Sequence, residues 1–175
     1  MSAADGRVLY FAYGANVHPG WLKRRIPDAT PVGAAALPGY RLAFRKRGRD
    51  GAARSDACPS DAPDARLPGA LYRLRATDLE RLGAAGAGYR AEQVSVESAQ
   101  GLVDAITWVA KPAQISAGLL PWDWYVDLIR AGAVLLQLPE THRAWLASVP
   151  TARDPDDSRT ALARAVIAAA QPPSG

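Results

Sequence analysis

From Val8 to Ala110 the chain is written in short apolar or alternating segments, each closed by a glycine or proline break. Beyond Pro121 its apolar residues recur at helical spacing instead. "VLYFAYG" (8–14) is an apolar run bounded by glycine, the pattern of a buried strand. "TPVGAAALPGYRLAFRKR" reads as two extended pieces broken at Pro38 and Gly39, and "LPGALYRL" (67–74) as another strand. "YRAEQVSVE" and "LVDAITWVA" alternate around a turn at Gln100 and Gly101. Between them, "GRDGAARSDACPSDAPDAR" is polar and rich in Gly, Asp and Pro; it is expected to be a long loop holding at most a short strand near Ser55–Cys58.

The helical signals follow the prolines. "HPGWLKRRIP" fits one or two turns between Pro19 and Pro27. "TDLERLGAAG" has Thr77 as N-cap and Glu80 at capping-box spacing, and is expected to be short because Gly83, Gly86 and Gly88 dissolve it. "PWDWYVDLIRAGAVLLQL", "PETHRAWLASV" and "SRTALARAVIAAA" are three later helices. About six strands, mostly early, with helices late, give an α+β chain around a small sheet or barrel. Residues 1–150 are expected to form one domain, and 151–175 a helical tail with a disordered end in "QPPSG".

With 175 residues, 49% hydrophobic and 22% charged, the composition is that of an ordinary globular protein. No stretch reaches the roughly 18 apolar residues of a membrane span, and "MSAADGRV" lacks the order of a secretion signal. A cytoplasmic protein without membrane or nucleic-acid partners is expected, as a monomer or loose homodimer. The lone Cys58 excludes an internal disulfide framework and has no base beside it in sequence. The two histidines are too few and too separated for a metal site. The net charge of +4 comes largely from arginine, 18 of the 21 basic residues. The cluster "RLAFRKRGR" (41–49) reads as a strand running into a basic, solvated loop; beyond Phe44 it lacks aromatics for base stacking, so an anionic ligand is its second reading.

"YFAYGANV" runs a strand into a tight turn with little side-chain bulk, where backbone N–H groups can face a ligand. It resembles the signature loop of the γ-glutamylcyclotransferase-like (AIG2-like) proteins. "LPGYRLAFRKRGRDG", "PGALYRL", "LERLGAAGAGYRAEQVSV" and "PWDWYVDLIRAGA" resemble that family in the same order. The resemblance covers about Arg7 to Val149. It implies a small, mostly antiparallel β-barrel-like sheet with flanking helices, and a cavity at one end. It also implies cyclisation of a γ-glutamyl amide to 5-oxoproline with no cofactor or metal, since nucleophile and electrophile lie on one small-molecule substrate. By the same resemblance Tyr13, Gly14, Ala15 and Asn16 line the site, with Ala15 in place of the usual Ser, and Tyr89 contributes to the pocket.

The family's acid–base Glu has no counterpart. In "LERLGAAGAGY" an ungapped match gives Glu80 the family's Asp place and Gly83 the Glu place, and no acid lies between Glu80 and Glu92. Loss of a general base costs about 10²–10⁴-fold in rate. Three explanations stand open: a relocated acid, with Asp56 first and Glu80 second; altered chemistry on the same scaffold; or ligand binding without catalysis. The first reading is an enzyme with altered chemistry acting on a small γ-glutamyl amide or related amino-acid-derived metabolite, and the alternative is a non-catalytic binding module on the same fold. Trp108, Trp122, Trp124 and Tyr125 are expected to pack in the core, with the Tyr125 hydroxyl in reach of a cavity mouth. His18 is expected as a solvated loop residue and His142 on the surface. "GAAGAGY" follows a helix rather than a strand, so it fails as a dinucleotide fingerprint.

Overall fold

A computed structural model describes residues 6–170. Five strands close a barrel in the order β1 (Arg7–Ala12), β5 (Arg66–Arg75), β2 (Thr30–Pro38), β6 (Tyr89–Ser98), β7 (Gly101–Ala110). All neighbours run antiparallel except the closing pair β1–β7, which meets in parallel at Tyr10 and Ile106. β3 (Tyr40–Arg47) and β4 (Ala53–Pro59) leave the barrel as a separate hairpin. The architecture is therefore α+β, with flanking helices α1 (Pro19–Lys23), α2 (Ala76–Ala85), α3 (Asp123–Leu135), α4 (Glu140–Ser148) and α5 (Asp157–Ala169). Among the described residues no helix is long and apolar enough to cross a membrane. The expected disordered end lies outside the described residues.

The core explains the order of the elements. Tyr10, Phe11 and Ala12 are buried in succession, so both faces of β1 are covered. The signature turn continues into a 3-10 turn, Ala15–Val17, and the Tyr72 hydroxyl donates to Val17 O at 2.9 Å. α3 packs over this turn with Gly132 against Val17 and His18, and its Leu128, Ile129 and Ala133 are fully buried. Two elements differ from the sequence reading. The polar 48–66 segment contains a seven-residue strand, β4, because its Ala53, Ser55, Asp56 and Ala57 are buried against β3 and β7. α2 starts after Arg75 without a side-chain cap and runs through Gly83 to Ala85. Glycine is tolerated there because tertiary packing outweighs its propensity cost of about 1 kcal/mol.

Candidate functional site

Where the 13–16 turn, the β3–β4 hairpin, α2 and α3 converge, the molecule has a cavity of about 300 Å³. It sits at the small end of the range for ligand cavities, about 300–1,000 Å³. Tyr13, Gly14, Ala15 and Asn16 all line it, and so does Tyr89. Gly14 has to be glycine: a Cβ there would lie 2.2 Å from Ser55 Oγ. That close approach brings β4 onto the turn, where Ser55 Oγ and Tyr125 OH stand 2.7 Å apart and the Ser55 N–H donates to Tyr125 OH at 3.3 Å. Tyr89 OH donates to Ser55 O at 2.7 Å, and Tyr13 OH donates to Trp108 O. Asn16 braces the turn through its Nδ2, which donates to Tyr10 OH at 3.1 Å.

The backbone of the turn is left open. Val17 and His18 N–H close the 3-10 turn onto Gly14 O and Ala15 O. The N–H groups of Gly14, Ala15 and Asn16 donate to no acceptor among the described residues. Three backbone donors of cavity-lining residues are thus without an acceptor among the described residues, as at any helix start. The tyrosines are held neutral. Burial pushes the Tyr10 phenol up to about 12, and raises Tyr13 and Tyr89 for the same reason. In this state they donate or orient and do not act as bases.

The cavity wall carries Arg25, Lys46, Arg49 and Arg54, and no Asp or Glu. Glu80 is exposed on α2. Asp56 is fully buried but outside the cavity wall; its carboxylate accepts from Arg45 Nε at 2.8 Å and from the Ala110 N–H at 2.9 Å. It ties β4 to β3 and β7. At Gly83 an added Cβ would lie 2.1 Å from Trp108 Cη2, so the indole occupies the space a side chain would need. Trp108 lines the cavity instead of lying wholly in the core, and its Nε1 is buried without a protein acceptor. Among the described residues no cluster of His, Cys, Asp and Glu is arranged to hold a metal ion.

Sequence reasoning passed over Tyr10, Arg54 and Ser55, held Lys46 only within the basic 41–49 cluster whose second reading was an anionic ligand, and assigned Trp124 to the core alone; all five line the cavity. The available signal for Lys46 was its alternation with Leu42 and Phe44 on β3, hidden among solvated arginines. His18 differs from expectation: it is fully buried as the N-cap of α1, its Nδ1 accepting the Trp21 N–H at 3.3 Å. His142 is half-buried and stacked on Trp145.

The fold is shared with several solved structures. A structure named γ-glutamyl cyclotransferase superposes with a TM-score of 0.78 at 19% identity, covering 91% of this chain and 99% of that one. An uncharacterized protein from Homo sapiens gives 0.78 at 18% identity with the same coverage. YkqA from Bacillus subtilis gives 0.67 at 26% identity, with 86% of this chain matched to 58% of that one. No family model and no curated protein matches the chain.

Proposed function

We propose that this chain, which has the γ-glutamyl cyclotransferase-like fold, uses its cavity to bind a small amino-acid-derived metabolite. An anionic or strongly polarised oxygen of that ligand is received by the N–H groups of Gly14, Ala15 and Asn16. The observation that carries the reading is the lining of the cavity: free backbone donors and four cationic side chains, with no carboxylate. The same lining argues against cyclisation driven by a carboxylate base, because Asp56 is engaged by Arg45 and Glu80 is exposed. Neutral, buried tyrosines do not replace such a base.

The fold shared with γ-glutamyl cyclotransferase favours a second reading, turnover of a γ-glutamyl amide or a related compound by altered chemistry. One experiment separates them. The protein is incubated with a panel of γ-glutamyl amines and dipeptides, with calorimetry for binding and mass spectrometry for 5-oxoproline. Saturable binding without 5-oxoproline above a protein-free control is expected. Multiple turnover of any panel member would replace the first reading by the second, and turnover abolished by Asp56→Asn would return the acid role to Asp56.

A further inference from the structure

The turn at 13–16 accounts for one part of the cavity wall; another part carries a charge that the fold does not neutralise. Lys46 is only 4% exposed, yet it lines the cavity. Its Nζ donates to Ala87 O at 2.8 Å and lies 5.0 Å from the centre of the Tyr89 ring. Among the described residues no carboxylate forms an ion pair with it. The acid nearest in sequence, Asp50, is held by Arg54 at 2.6 Å and by Trp122 Nε1 at 3.0 Å. The surroundings repel further charge of the same sign: burial first, then Arg54 and Arg49, lower the affinity of the Lys46 amine for its proton. The chain's other two lysines, Lys23 and Lys111, are exposed.

Removing an ammonium from water costs several kcal/mol unless a counter-charge and hydrogen bonds offset it. A single carbonyl and a ring face return only part of that cost. What the site lacks is an oxyanion, and the cavity is where one can enter. We propose that Lys46 anchors a second subsite, in which a carboxylate or phosphate of the ligand pairs with its ammonium beside Arg54, while the Gly14–Asn16 donors hold a separate carbonyl or acceptor oxygen. The ligand is then bifunctional: an acid joined by a short linker to an amide or comparable acceptor. This inference rests on the cavity being the ligand site, and its test keeps the two apart.

The probes are glutaramide, which carries two amides, glutaramate, in which one amide is replaced by a carboxylate, and inorganic phosphate and acetate as competitors. The wild-type protein is expected to bind glutaramate about tenfold more tightly than glutaramide, as a charge-assisted bond replaces a neutral one. Lys46→Gln is expected to shrink that preference to within about twofold, and Lys46→Arg to retain most of it. Wild-type protein labelled with ¹⁵N-lysine gives a reading that needs no variant to fold. The Lys46 Nζ signal should shift on saturation with glutaramate and not with glutaramide, while those of Lys23 and Lys111 stay in place. Phosphate competing more strongly than acetate assigns the acid as a phosphate, and the reverse assigns a carboxylate. Equal affinity for both amides, an unchanged preference in folded Lys46→Gln, or an unmoved Lys46 signal overturns the subsite alone. Binding of none of the probes overturns the ligand-site reading and the subsite together.

Discussion

At position 83 there is no room for even a methyl group, because the indole of Trp108 lies where it would stand. Gly83→Ala is therefore expected to destabilise by about 1–3 kcal/mol, the usual range for overpacking a filled site. In a Trp108→Val background the same change should cost much less, since the obstructing ring is gone. Thermal melts of the four proteins in this cycle measure the coupling; additive losses would show that the two residues do not compete for one space. Position 83 also marks what the sequence could and could not convey. The lack of an acid between Glu80 and Glu92 was legible from the residues, but the tryptophan whose ring lies against Gly83 comes from β7, 25 residues on, and no local pattern links the two. Lys46 was hidden for a related reason: its burial is decided by the distant 86–88 loop, where Ala87 O accepts from its Nζ and Gly88 lies close to its side chain.

The elements were more legible than their functions. β1, β5, β6 and β7 follow from apolar or alternating runs, and α3 from its period after Pro121. β4 was legible only as a short strand near Ser55–Cys58 within a long loop; its full length was not, because a strand of Ala, Arg, Ser and Asp becomes one only when its neighbours bury it. The C-terminal helix has a stronger tie to the rest than its place in the sequence suggests. Asp154, fully buried just before α5, accepts from Trp124 Nε1 at 2.6 Å and from Arg159 at 2.6 and 2.7 Å, and Trp124 lines the cavity. Those bonds from Arg159 hold the Asp154 carboxyl down at about 2. Asp154→Ala leaves a buried indole N–H without its acceptor and should cost about 1–3 kcal/mol. Asp157→Ala removes the exposed pair with Arg153 and should change stability by less than about 1 kcal/mol. Chemical denaturation of the two variants checks this, and similar losses in both would refute the special role given to Asp154.

For the whole molecule the pH dependence of stability is set near neutrality by its two histidines. Burial lowers both, His142 to about 4 from an ordinary 6.5 and His18 in the same direction. A lowered folded-state value means that the unfolded chain binds the extra protons. Their contribution is thus fully present above about 6.5 and is lost as the pH falls from there toward the folded-state values. Melting temperatures should be level from pH 8 to 7 and fall between pH 6.5 and 5. His142→Gln should flatten part of that fall; an unchanged slope would remove His142 from the account. The barrel, the hairpin and α3 jointly frame the cavity; a hollow was implied by the family resemblance rather than by the α+β pattern itself, and its charge was foreshadowed only in the second reading of the basic 41–49 cluster. The most direct measurement of the central claim is a titration of ¹⁵N-labelled protein with γ-glutamyl amides and L-glutamate, following backbone amides. Saturable shifts at Gly14, Ala15 and Asn16, with smaller ones at Tyr89, are the predicted result; amides at 14–16 that stay fixed with every compound while the protein remains folded would contradict it.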